Sequence, residues 1–127
     1  MYELTVERRF SAAHHLRNYE GPCARMHGHN YRVEITVCGE ALDEKGMLVD
    51  FGPLKALCDE VLDELDHRCL NEVAAFATTN VTAENLAAHI FREVGSRLAP
   101  GLQMGSVRLW ETDGSSVTYR EGARCGL

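Results

Sequence analysis

Hydrophobic and polar residues alternate along the first part of the chain. From Tyr2 to about His14, apolar residues occupy one face and charged or hydroxyl residues occupy most of the other. A period of two over this length predicts a half-buried β-strand, and residues 30–39 predict a second one. Arg8 interrupts the apolar face of the first strand, so we interpret it as the mark of a β-bulge.

The pattern then changes to the period of a helix. Between Leu54 and Leu65, apolar residues recur three and four positions apart, and Pro53 suits the first turn of the helix that this spacing predicts. A second helix is predicted from about Thr82 to Leu98, with Thr82 as its N-cap and Pro100-Gly101 beyond its end.

Two short strands are predicted near the end of the chain. Val107 and Leu109 share the apolar face of one strand, Val117 and Tyr119 share that of the other, and Asp113-Gly114 between them predicts a hairpin. The order of elements indicates an α+β fold, in which a four-stranded antiparallel sheet carries two helices on one face. The edges of such a sheet stay open, which invites pairing with other subunits.

Composition narrows the class of protein. The 127 residues are 45% hydrophobic and 25% charged, without a linker or repeat, which indicates one globular domain over residues 1–127. No apolar run approaches the roughly 20 residues of a membrane span, and the first ten residues carry several charges, so we expect a cytoplasmic protein without a secretory signal. A net charge of -6 argues against sequence-independent binding of nucleic acid. The five cysteines are odd in number and form no CxxC pair, so most are expected to be buried thiols.

Three of the six histidines are placed so that they can converge. His27 and His29 point to one side of an extended chain, and His14 lies on the apolar face at the end of the first strand. In an antiparallel pair, the end of one strand lies beside the start of the next. Three imidazoles with an open fourth position are typical of catalytic zinc, so we predict a metal site over the alternative of three ordinary core or surface histidines. The same alternation turns His15 the other way.

Three further positions carry candidate chemistry. Cys23, in the Gly/Pro-containing loop before His27, is either an inert loop cysteine or a thiol that a nearby cation activates as a base or a nucleophile. Asp66 and His67 follow the first helix and form a possible acid/base pair, although histidine also suits a helix C-terminus for its dipole.

Glu111 shares the side of Val107 and Leu109, so it places a carboxylate on an apolar face. Burying it is unfavourable without a partner, and the two adjacent N–H donors on the edge of a guanine or pterin ring would satisfy it. The alternative is that the strand has ended before Glu111 and that this side chain is exposed.

The segments that hold these residues resemble one known family over essentially the whole chain. They are FSAAHHL, CARMHGHN, DFGPLK, LDHRCLN, NVTAENLA and WETD, in this order. The chain is on this ground identified as a member of the 6-pyruvoyltetrahydropterin synthase / 6-carboxytetrahydropterin synthase family. One departure is His15, where many members have arginine.

The resemblance implies the tunnelling fold, in which the four-stranded sheets of three subunits form a twelve-stranded barrel and two trimers stack into a homohexamer. It implies that His14, His27 and His29 bind Zn²⁺, that Cys23 is the catalytic base, that Asp66 and His67 relay protons, and that Glu111 anchors the pterin. The implied substrate is 7,8-dihydroneopterin triphosphate. The three residues between Cys23 and His27 resemble the branch that forms 6-carboxytetrahydropterin for 7-deazaguanine (queuosine) biosynthesis. The alternatives are the pyruvoyl-forming enzyme and a non-catalytic assembly module that zinc stabilises.

Overall fold

Four antiparallel strands form a sheet in the computed structural model, which describes residues 1–122. The strands are β1 (Tyr2–His14), β2 (His27–Gly39), β3 (Gln103–Thr112) and β4 (Ser115–Tyr119), and they lie in the order β1-β2-β3-β4. The turn at Asp113-Gly114 joins β3 to β4, as predicted. The α+β class is thereby confirmed.

The two predicted helices are present with slightly different ends. Helix α1 spans Phe51–Asp63 and begins behind Asp50, whose carboxylate accepts a hydrogen bond from the Gly52 N–H at 3.1 Å. Helix α2 spans Ala83–Gly95, and the Thr82 hydroxyl caps it as predicted. It ends before Leu98 because Ser96 takes the C-cap position. In residues 1–122, neither helix has the length and apolar character that crossing a membrane requires.

One face of the sheet and both helices enclose the core. Its largest buried side chains include Tyr31, Ile35, Leu54, Leu62, Leu86, Ile90 and Leu109. Phe10 of β1 stacks on Tyr31 of β2, with 4.8 Å between the ring centroids. The core therefore reaches along β1 and β2 as far as the ends that carry the histidines.

The predicted bulge at Arg8 is wrong. The pairing of β1 with β2 runs without interruption from Tyr2 to His14, and Arg8 lies directly opposite Val33. Its guanidinium instead forms a bidentate ion pair with Asp59 of α1, with both N–O distances at 2.8 Å. A charged residue thus occupies the helix-covered face because the helix supplies its partner.

The bulges lie along β3 instead. One shifts the register of β2 and β3 between Thr36 and Val37. The other shifts that of β3 and β4, because Trp110 pairs with Ser116 whereas Thr112 pairs with Ser115. Glu111 is the extra residue of this second bulge, so no residue of β4 lies opposite it.

The outer edge of β1 is partly covered by the segment that follows α1. The N–H of His67 donates to the Ser11 carbonyl at 2.6 Å, and the N–H of Ala13 donates to the Arg68 carbonyl at 3.0 Å. Cys69 forms a parallel bridge with Ala13. Residues 66–69 therefore lie beside the histidine end of β1, although α1 ends far from β1 in sequence.

The cysteines differ from one another in their surroundings. Cys58 is a buried free thiol on α1, and burial, with a smaller contribution from Asp59, raises its pKa to about 11. Cys23 and Cys69 are half-buried free thiols. Cys38 is buried and disulfide-bonded, so it is not among the buried thiols expected for most of the cysteines. Cys125 lies outside the described residues.

Candidate active site

Three histidines converge at the ends of β1 and β2. The strand register places His14 directly opposite His27, and His29 opposite Ala12, as the alternation predicted. The ring centroids lie 4.6 to 5.2 Å apart, and one ligand nitrogen from each ring lies within 4.8 Å of the others. His15 is outside the cluster. This set of three imidazoles is the arrangement expected of a metal site.

Backbone carbonyls orient two of the three rings. His14 Nδ1 lies 2.8 Å from the Val81 carbonyl, and His27 Nδ1 lies 2.7 Å from the Arg25 carbonyl. Because a carbonyl only accepts, Nδ1 is the donor in both contacts, which leaves Nε2 of each ring to face the cluster. Such outer contacts are typical of metal-binding histidines.

Two buried nitrogen atoms of the cluster lack a hydrogen-bond partner within residues 1–122, and a bound metal ion would take that partner's place. These atoms are His14 Nε2 and His29 Nε2. Burial is also the main cause that lowers the pKa of His14 and of His29. The neutral imidazole that results is the form that binds a metal. The residues present therefore fit zinc.

A cavity of about 510 Å³ opens beside the cluster. His14, His27, Cys23 and Glu111 all contribute to its wall. The structure thus brings four residues, predicted from distant parts of the chain, to one space of the size that a small ligand occupies.

Cys23 reaches the cavity from a short 3₁₀ helix, Pro22–Ala24. Gly21, which precedes it, has φ 138°, a backbone conformation that favours glycine. The carbonyl of Cys23 accepts a hydrogen bond from the Leu16 N–H at 2.8 Å, which ties this helix to the chain beyond β1. Cys23 is half-buried and contributes to the cavity wall, so it lies beside any molecule bound there.

Glu111 faces the cavity and the histidines. β3 continues to Thr112, so the alternative in which the strand ends before Glu111 is wrong. The Glu111 side chain is 28% exposed, and Oε1 lies 3.4 Å from His29 Nε2. The Glu111 carboxylate thus lines the cavity, where a ligand can reach it.

Asp66 and His67 pair with each other but not with Cys23. Their side chains are 2.9 Å apart, and a hydrogen bond from the Ser11 N–H, followed by that from His67, lowers the pKa of Asp66. The His67 side chain is 82% exposed. Its backbone has a positive φ of 57°. His67 lines a separate cavity of about 500 Å³, which it shares with His29. Within this chain, the predicted relay pair therefore does not line the cavity to which Cys23 contributes.

Three contributors to the site were missed from the sequence. Val81 orients His14 through its carbonyl, and Asn80 lines the cavity. Tyr31 lies beneath the cluster, 5.4 Å from His29 between ring centroids, and its hydroxyl lacks a partner among the described residues. Burial, and secondarily Glu111, raises the pKa of Tyr31. Tyr31 could have been found from the sequence, because it lies two positions from His29 on one strand and so faces the same side. No local pattern marks Val81 or Asn80.

Known proteins resemble this chain over most of its length. The family model described as 6-pyruvoyl tetrahydropterin synthase matches residues 3–122. The 6-carboxy-5,6,7,8-tetrahydropterin synthase of Synechocystis sp. is 37% identical over 124 residues, which cover 94% of this chain and 93% of the relative. The protein of the same name from Haemophilus influenzae is 29% identical, with 95% and 100% covered. The solved structure of Caenorhabditis elegans 6-pyruvoyl tetrahydropterin synthase superimposes with a TM-score of 0.83 at 34% identity, covering 96% of this chain and 98% of that one.

Proposed function

Because this chain belongs to the 6-pyruvoyl tetrahydropterin synthase family, we propose that it is a zinc-dependent 6-carboxy-5,6,7,8-tetrahydropterin synthase. It would convert 7,8-dihydroneopterin triphosphate into 6-carboxytetrahydropterin, acetaldehyde and triphosphate, a step in 7-deazaguanine (queuosine) biosynthesis. The observation that carries the proposal is the single cavity shared by the imidazoles of His14 and His27, the Cys23 thiol and the Glu111 carboxylate. The tunnelling fold of the protomer is that of the family.

The roles follow from the chemistry of each side chain. His14, His27 and His29 would hold zinc, which when bound supplies a Lewis acid that polarises the hydroxyls of the substrate side chain. The Glu111 carboxylate would accept two parallel N–H donors from the pterin ring and fix its orientation. The Cys23 thiolate would remove a proton from a side-chain carbon of the substrate held between them.

The direct test is product analysis. Zinc-loaded protein is incubated with 7,8-dihydroneopterin triphosphate, and the products are separated and weighed by mass spectrometry. We expect 6-carboxytetrahydropterin and one equivalent of acetaldehyde. The fold similarity to the C. elegans enzyme supports a second candidate, the pyruvoyl-forming reaction, which releases triphosphate without acetaldehyde. Absence of any turnover would favour a non-catalytic assembly module.

We predict about one zinc per chain, held by the histidine cluster. His27→Ala leaves two imidazoles, and we expect the affinity for zinc to fall by at least roughly 100-fold, since even lost outer partners typically cost 10–100-fold. Elemental analysis and chelator competition measure this. His15→Ala is the matched control, because His15 is adjacent to a ligand but outside the cluster. Full zinc retention in His27→Ala would overturn the ligand assignment.

We further propose that the protein is a homohexamer built as a dimer of trimers. β1 and β4 are the two edges of the sheet, and ring closure would pair them. The exposed His67 supports this proposal, because it does not reach the Cys23 cavity of its own chain. A neighbouring subunit would supply Asp66 and His67 to that cavity.

Subunit mixing tests this shared site. Cys23→Ala and His67→Ala should each be nearly inactive alone, whereas a mixed and reassembled sample should regain about a quarter of the wild-type activity, because some sites then combine two intact residues. Light scattering on the same samples reports the assembly. A monomer in solution, or mixtures without recovery, would contradict the shared site.

A further inference from the structure

Residues 15–17 follow β1 and pair with no strand of the described part of the chain. β1 pairs with β2 only as far as His14, which lies opposite His27. Residues 15–17, here called the strut, continue from this point along the cavity, and Leu16 contributes to the cavity wall. Backbone groups in such a segment need hydrogen-bond partners that a strand would ordinarily supply.

Two asparagine side chains supply those partners on one side of the strut. The Asn71 amide accepts from the His15 N–H at 2.9 Å and donates to the His15 carbonyl at 3.1 Å. The Asn80 amide repeats this arrangement on Arg17, at 2.9 and 3.2 Å. Each side chain therefore reproduces the donor and acceptor of one residue in an antiparallel strand.

The other side of the strut holds Cys23. The backbone groups of His15 and Arg17 bond to the two asparagines, whereas the Leu16 N–H between them has a different partner. It donates to the Cys23 carbonyl at 2.8 Å. The strut thus lies between the asparagine pair and the short helix that carries the thiol.

The Arg17 side chain also binds the segment that holds the two asparagines. Its guanidinium donates to the carbonyls of Phe76, Thr79 and Asn71, at 3.0, 3.3 and 3.3 Å. The segment that provides both asparagines is therefore attached to the strut by a third set of contacts. Asn80 is also held from α2, because its carbonyl accepts from the Asn85 side chain at 2.9 Å.

We propose that Asn71 and Asn80 are positioning residues for Cys23, acting through the strut. They hold residues 15–17 in place, and the Leu16 N–H then holds the Cys23 backbone at the cavity wall. This inference rests on the proposed function for the role of Cys23 in turnover, but the contacts themselves are independent of that role.

The first test therefore does not depend on activity. Asn80→Ala should accelerate hydrogen exchange of the Leu16 amide by roughly tenfold, because the strut loses two hydrogen bonds. Alkylation of Cys23 by iodoacetamide, measured against Cys69 in the same molecule, should rise several-fold. Asn80→Asp keeps the acceptor for Arg17 N–H and should have an intermediate effect. Asn85→Ala removes a contact to Asn80 but leaves the strut's own hydrogen bonds, so it should change both readouts less than Asn80→Ala does.

The second test addresses catalysis. In active protein, Asn80→Ala should lower kcat by about tenfold with little change in KM. In the Cys23→Ala background, it should have no further effect on the residual turnover. Asn71→Ala should repeat both results and serves where Asn80→Ala does not fold.

The two tests separate the possible failures. In one outcome, the wild-type protein lacks pterin turnover while the alanine variants still show the expected exchange and alkylation changes. That result would support the positioning of Cys23 and contradict the proposed function. Unchanged Leu16 exchange and Cys23 alkylation in both alanine variants would overturn the positioning role. An equal loss of kcat in the presence and absence of Cys23 would do the same.

Discussion

Cys23→Ala is expected to lower turnover by about 10²–10⁴-fold, the usual contribution of a general base. Nothing else in the site should change, because the Cys23 side chain is neither one of the three clustered ligands nor part of the core. The Leu16 N–H contacts the Cys23 carbonyl, which alanine retains. Zinc content, assembly and melting temperature should therefore match the wild type.

Cys69→Ala is the matched control for this experiment. Cys69 is also a half-buried free thiol, but it lines other cavities and lies beside Met26. Single-turnover kinetics on both variants separate the chemical step from binding. Turnover near wild type in Cys23→Ala would leave the thiol without a catalytic role.

Glu111→Gln is expected to weaken pterin binding by about 2–5 kcal/mol, the range for truncating one partner of a hydrogen-bonded charge pair. The amide replaces one acceptor oxygen with a donor, and that donor opposes the N–H groups of the pterin ring. Calorimetric titration with a pterin such as sepiapterin measures the loss. The side chain is 28% exposed, so the unliganded protein should fold and melt nearly as the wild type does.

Glu60→Gln provides the comparison for net charge. Glu60 lies on the exposed side of α1, and its substitution changes the total charge by the same amount. Pterin affinity should be unchanged in this variant. Equal affinities in Glu111→Gln and wild type would mean that the carboxylate does not contact the ring.

The histidine cluster and Glu111 could be predicted because strand alternation is a local property. A side chain on a strand faces the same way as its neighbour two residues away, so the sequence placed His27 and His29 together and on the side of Tyr31. Antiparallel pairing then required only that β1 and β2 be neighbours, which consecutive strands commonly are. The structure has this register, with His14 opposite His27.

The misinterpretation of Arg8 has a different physical origin. A charge on an apolar face suggested an irregular strand, whereas the ion pair with Asp59 allows a regular one. These two residues are 51 positions apart. No local window contains both, so alternation alone could not distinguish a bulge from a buried charge pair.

The sequence by itself determined the elements of this protein, the side on which each candidate residue lies and the family to which the chain belongs. These depend on periodicity and on short motifs, which are local. The tertiary structure decided what supports those residues. The Val81 carbonyl reaches His14 across 67 positions, Asn80 reaches Arg17 across 63, and Asp66 reaches Ser11 across 55. Such contacts form only when packing brings distant segments together, because a backbone carbonyl or an asparagine amide can satisfy any suitable partner, and its own sequence does not specify which one.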